Sequence, residues 1–176
     1  MKVCAGRFNT YLTLAAVLAL FCGCQTDKKK EEVSALRIHV QTSPGPEGST
    51  QTVSVLRADP VSVTIGHDPV LTEASLIFAK VIDTPGGFAI EVQFNESATL
   101  MLEQYTAANP GRHFVIFGQW GDTLVNGRWL AAPLITHRID SGLLSFTPDM
   151  SRTEADRLVL GLNNVAKKAQ GGVFNK

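Results

Sequence analysis

The order of periodicities in this 176-residue chain predicts an α+β fold, a mainly antiparallel sheet with two helices packed on one face. Three observations carry that reading. Runs that alternate apolar and polar residues fill most of the chain after residue 34, the spacing of a half-buried strand. Two segments, one after Asn95 and one after Ser151, switch to the three-and-four spacing of an amphipathic helix. The elements therefore come as strands, helix, strands, helix, an order that layers helices against an antiparallel sheet.

Residues 36–41 alternate strictly and open the domain as a half-buried strand, closed by the turn formers SPGPEGST of residues 43–50. Residues 53–57 and 61–65 read as two further strands, and Pro60, which cannot donate to a ladder, belongs to the break between them. Residues 76–83 and 88–94 flank Thr84-Pro85-Gly86-Gly87 as a hairpin, with Phe88, Ile90, Val92 and Phe94 on one face. Asn95 caps the first helix, whose inward stripe is Ala98, Met101, Leu102 and Tyr105 and which Asn109, Pro110 and Gly111 stop. Strands return at 113–118, 128–132, 134–139 and 143–146, with Pro133 as a break and 140–142 as a turn. Ser151 and Glu154 form a capping box for the last helix, with Ala155, Leu158, Val159, Leu162, Val165 and Ala169 as its stripe. Gly161 weakens that helix by about 1 kcal/mol relative to Ala. Lys167 and Lys168 suit its C-terminal end, and Gly171 can terminate it.

All three cysteines, Cys4, Cys22 and Cys24, fall within the first 24 residues. Lys2 and Arg7 precede an apolar run at 11–21 that is too short to cross a hydrocarbon core, which takes about 20 residues. That is the layout of an export signal, removed rather than spanning. The ending resembles the lipobox of bacterial lipoproteins. Gly23 and Cys24 match its most constrained positions, whereas Phe21 and Cys22 stand where Leu and a small residue are usual. Cys22 is the rival attachment site, but it follows the bulky Phe21. The resemblance implies acylation of Cys24, a signal peptide at 1–23, a tether at 24–33 and a single domain at 34–176. Its membrane partner is then a lipid anchor, and its location the periplasmic side of a bacterial envelope. Gln25, rather than Asp, after Cys24 points to the outer membrane over the inner. An ordinary cleaved signal, or an uncleaved short anchor, is the alternative.

Loss of Lys2 and Arg7 lowers the 16 basic residues to 14, against 16 acidic ones. Such a balance argues against nucleic acid as partner. His39, His67, His113 and His137 are scattered without metal-ligand spacing, and neither a nucleotide loop nor a cofactor motif is present. No catalytic, cofactor-binding or metal residue is assigned. His67 and Asp68 with Ser75 are the fragments from which a hydrolase would have to be built. Trp120, beside Gly121, reads as the aromatic available to a protein partner, and Trp129, inside a strand-like run, as core.

Residues 71–164 carry the blocks LTEASLIFAKVID, GGFAIEVQFNESATLMLEQYT, NPGRHFVIF, RWLAAPLITHRIDSG and TEADRLVLGL in order. They resemble the head of the first periplasmic domain of SecD, a subunit of the bacterial protein-export translocase, at Leu71, Thr72, Thr106, Asn109, Gly111, Ala132, Pro133 and Ala155. The resemblance implies a head-like domain that contacts exported polypeptide, without the family's transmembrane helices. Residues 34–70 precede the matched region and read as a family-specific extension. The expected protein is a non-catalytic envelope lipoprotein that binds a protein or extended polypeptide, with an envelope hydrolase and a purely structural lipoprotein as the alternatives.

Overall fold

A computed structural model describes residues 31–121 and 124–171. In chain order the elements are β1 (Ser34–Val40), β2 (Thr50–Val55), β3 (Val61–Gly66), β4 (Leu71–Thr72), a 3-10 turn (Glu73–Ser75), β5 (Leu76–Thr84), β6 (Gly87–Phe94), α1 (Glu96–Ala108), β7 (Phe114–Trp120), β8 (Asn126–Ala131), β9 (Leu143–Phe146) and α2 (Arg152–Gly171). They form a four-stranded sheet β4-β1-β7-β8, a three-stranded sheet β5-β6-β9 and the two-stranded hairpin β2-β3, all antiparallel. The fold is α+β, as the periodicity predicts. Cys24 and most of the expected tether lie outside the described residues. Within its last residues Glu32 accepts from Arg157 at 3.1 Å, and Lys168 pairs with Glu31 at 2.5 Å, so the chain meets α2 from Glu31 onward.

Local chemistry explains most boundaries. The β5-β6 hairpin closes through Pro85 and Gly86, and Gly86 takes a φ of +91° that a side chain would resist. Asn95 caps α1 by accepting from the Ala98 N–H at 3.0 Å. At the start of α2 the capping box is complete, with Glu154 accepting from the Ser151 N–H and the Ser151 hydroxyl accepting from the Glu154 N–H. Residues 134–139 depart from expectation, forming one bridge from Leu134 to His113 rather than a strand. Their backbone is engaged elsewhere: Ile135 exchanges bonds with Gly111 and Arg112, and the Ile139 N–H donates to Thr106 Oγ1. Segment 134–139 is thus stapled to the turn after α1.

One core is shared by both helices and the two larger sheets, with Leu36, Ile38, Ile90, Phe94, Leu102, Ile116, Leu130, Leu158 and Leu162 at its centre. The buried row of α1 is Ala98, Leu102 and Thr106, which leaves Met101 at 39 % exposure, outside the stripe expected of it. Helix α2 buries Ala155, Leu158, Gly161, Leu162 and Ala166, so its stripe is rotated away from the expected Ala169, which is exposed. Gly161 accounts for the rotation. A Cβ there would lie 2.2 Å from Ser34 Oγ and 2.7 Å from the Ser34 nitrogen. The helix touches β1 where only glycine fits. Two residues on, Asn163 accepts from the Ala79 N–H at 2.8 Å and donates to the Ala79 carbonyl at 2.9 Å, closing the open edge of β5 as a strand would.

The β2-β3 hairpin lies on the opposite face of the four-stranded sheet, where Val55, Val63 and Ile65 pack on Val115. It makes β1 buried on both faces except at Arg37, rather than half-buried. Asp149 clamps it. Its carboxylate accepts from the Arg57 N–H at 2.8 Å and from the Arg57 guanidinium, its N–H donates to the Leu130 carbonyl, and its carbonyl accepts from Arg128. Arg128 in turn reaches Glu154 at 2.9 Å. The Arg57 hydrogen bonds hold the Asp149 carboxyl below its ordinary value; burial pushes Glu154 up, but its bonds to Ser151 and Arg128 outweigh that and leave it lowered too.

Two outcomes are expected. Gly161→Ala should destabilise the protein by about 1–3 kcal/mol despite Ala being the better helix former, because overpacking against backbone outweighs propensity; a raised urea midpoint would contradict this contact. For a carboxyl whose pKa is lowered on folding, the stabilisation is complete above the ordinary value, 3.8 for Asp149, and fades as pH falls below it through the folded value. The stability gap between the wild type and Asp149→Asn in urea titrations should therefore be largest at pH 7 and shrink toward pH 3.

Candidate functional site

The outer face of the four-stranded sheet, beside the hairpin, carries the residues that chemistry can use. Strand parity sorts β7: Phe114, Ile116, Gly118 and Trp120 face the core, while Phe117 and Gln119 face outward. Phe117 is in register with Arg37 on β1 and with Trp129 on β8, so the three form one row across neighbouring strands. Trp129 leans against Phe117 at a centroid distance of 5.0 Å and against His39 at 5.5 Å. Gly127 gives Phe117 room, since a Cβ there would come within 3.1 Å of the ring.

Two clefts of about 510 and 520 Å³ open onto this row, and both are lined by Phe117 and Trp129. The first adds Arg37, His39, Gln51, His67 and Asp68. The second adds Leu56, Arg57, Pro60 and Arg128 from the clamped end of the hairpin. Together they make one trough with an aromatic floor. Leu56 is held there at a φ of +68° and is 40 % exposed. That backbone region is uncommon for a non-glycine residue and costs on the order of 1–3 kcal/mol, so the Arg57 anchor presents an apolar side chain at the rim.

His39 is buried and its Nδ1–H donates to the Gly66 carbonyl at 3.0 Å, a second tie between sheet and hairpin. Burial lowers its pKa from the ordinary value, outweighing the Gly66 bond that raises it. The neutral ring is the form that fits. His113 bonds Gln41 of the loop after β1 at 2.9 Å, and His137 bonds its neighbour Thr136 at 2.9 Å. Among the described residues no group of three His, Cys, Asp or Glu side chains stands together as a metal site.

Trp120 is 2 % exposed and belongs to the core, with the Arg128 guanidinium 5.0 Å above its ring. The two tryptophans thus exchange the places expected of them, because β7 parity turns Trp120 inward and pairing with Phe117 turns Trp129 outward. His67 and Asp68 do line the trough, whereas Ser75 does not, and its carbonyl accepts from the Asn95 N–H. No hydrogen bond joins His67, Asp68 and Ser75 among the described residues, so the fragments of a triad are not assembled.

The residues on which the SecD resemblance rests are structural. Thr106 is buried and donates to the Leu102 carbonyl, Asn109 ends α1 by donating to the Tyr105 carbonyl, and the Pro133 carbonyl accepts from the Phe114 N–H. Trp120→Ala should cost about 3–5 kcal/mol as a large-to-small core change. Trp129→Ala should cost clearly less; equal losses in chemical denaturation would contradict the placement of these rings.

No protein-family model matches the chain, and no curated protein matches it. Solved structures do. The structure of SecDF, described as a membrane component that enhances protein export, superposes with a TM-score of 0.51 at 18 % identity, covering 92 % of this chain and 71 % of that one. SecDF in a super-membrane-facing form gives 0.53 at 20 % identity, covering 76 % of this chain and 19 % of that one, so the chain spans about a fifth of its length. Coverage of 92 % reaches well before residue 71, and β1 pairs with both β4 and β7. Residues 34–70 are therefore not simply an extension. At these identities the shared property is the fold, and the domain is SecD-like.

Proposed function

We propose that this chain is a non-catalytic, lipid-anchored envelope protein whose SecD-like domain binds an extended polypeptide and works in protein export. The observation that carries the reading is the fold shared with a membrane component that enhances protein export, over 92 % of this chain. The aromatic trough supports it, since an apolar floor with polar groups at its rim suits a chain whose side chains seek burial while its amides seek partners.

Among the described residues no helix is long and apolar enough to cross a membrane. Attachment is assigned to acylated Cys24. The seven steps from Cys24 to Glu31, which pairs with Lys168 of α2, reach at most about 25 Å. The domain then works close to the bilayer, on its periplasmic side.

Cys24→Ala should move the protein from the membrane to the soluble fraction without altering its urea midpoint; retention in the membrane fraction would contradict the anchor. Deletion of the chain should slow the appearance of exported proteins in a pulse-chase experiment. Unchanged export kinetics would count against the link to export.

A further inference from the structure

We infer that the trough on the outer face is the docking site for an extended polypeptide segment that carries an apolar side chain two residues before a carboxylate. The inference rests on the polypeptide-binding reading and adds the place and the sequence preference. Its starting point is Arg37. Seven arginines lie among the described residues. Six of them donate to partners: Arg57 to Asp149, Arg112 to Gln41, Arg128 to Glu154, Arg138 to Glu103, Arg152 to Asp83 and Arg157 to Glu32. Arg37 has no ion pair and no side-chain hydrogen bond among those residues, and it is exposed at the end of the aromatic row. A guanidinium without a partner among the described residues, in line with an apolar floor, calls for an anion attached to something apolar.

Dimensions set the spacing. Strands lie about 4.8 Å apart, so Arg37 on β1 and Trp129 on β8 stand roughly 10 Å from one another across β7. An extended chain advances about 3.3 Å per residue and turns alternate side chains to opposite faces, so groups two residues apart share a face about 7 Å from one another, and the long Arg37 side chain spans the remaining distance. Gln51 and Asp68 line the same end of the trough and can pair with the segment's backbone amides. A sugar fits less well, because Phe117 and His39 meet Trp129 at 60° and 68° and leave a ridged floor rather than a flat ring. The exposed Leu56 extends the apolar surface at the far end.

The test uses the full chain in detergent and a fluorescein-labelled nonapeptide, Gly-Ser-Gly-Leu-Phe-Gly-Glu-Ser-Gly, with fluorescence anisotropy as the readout. Two companion peptides replace Glu by Lys, or Leu-Phe by Ser-Ser. The wild type should bind the Glu peptide at least tenfold more tightly than either companion. Arg37→Glu should reverse the preference between Glu and Lys peptides, and Trp129→Ala should weaken binding of both, with each variant's fold checked by its urea midpoint. Arg37 is exposed, so the charge reversal tests the site even if Trp129→Ala folds poorly. If peptides bind but neither substitution matters, the site assignment fails while polypeptide binding stands. If no peptide binds the wild type, the polypeptide reading fails as well. Dimerisation abolished by Trp129→Ala, or saturable binding of an amino-sugar oligomer in place of peptide, would give the trough another occupant and overturn the proposal.

Discussion

Helix α2 serves both large sheets at once, and the contact that allows this is the backbone approach of Gly161 to Ser34. Any side chain at residue 161 would hold the helix off β1. The same turn carries Asn163 to the edge of β5, where it satisfies the backbone N–H and carbonyl of Ala79. A helix displaced by a methyl group would loosen both contacts, because interiors are packed too densely to absorb a shift at one point only. The apparent defect in helix propensity is the condition for a shared core.

With the inner layer closed, the outer face of the four-stranded sheet is left to the hairpin. The hairpin covers Val115 and packs against one side of Trp129, leaving Phe117 half-buried and Arg37 exposed, and its two ties are unlike in kind. At one end a neutral His39 bonds Gly66; at the other Asp149 grips Arg57. Both favour neutral pH, since each group has its pKa lowered in the fold. The trough exists because the anchored hairpin leaves part of the aromatic row uncovered.

Much of this was legible in residue order. Asn95, the Ser151 and Glu154 box, and the Pro85-Gly86 turn announce their elements through backbone chemistry that acts within a few residues. Parity along β7 also separates Trp120 from Phe117, although the glycine next to Trp120 carries the competing signal of an exposed turn. Other features depend on partners distant in sequence. Residues 134–139 alternate like a strand, yet their amides are taken by Gly111, Arg112 and Thr106. The pairing of Arg37 with Phe117 and Trp129 spans three strands, and nothing local reports it. A surface of this kind becomes visible only when register is known.

The trough lies on the sheet face away from α2, and the proposed contact with a polypeptide distinguishes that face from the helical one. The most direct measurement is photo-crosslinking in living cells, with the reactive side chain placed at Phe117 in the trough or at the exposed Leu160 of α2. Adducts with exported polypeptides are expected from position 117 and not from position 160. Equal adducts from both positions, or none from position 117, would contradict the account.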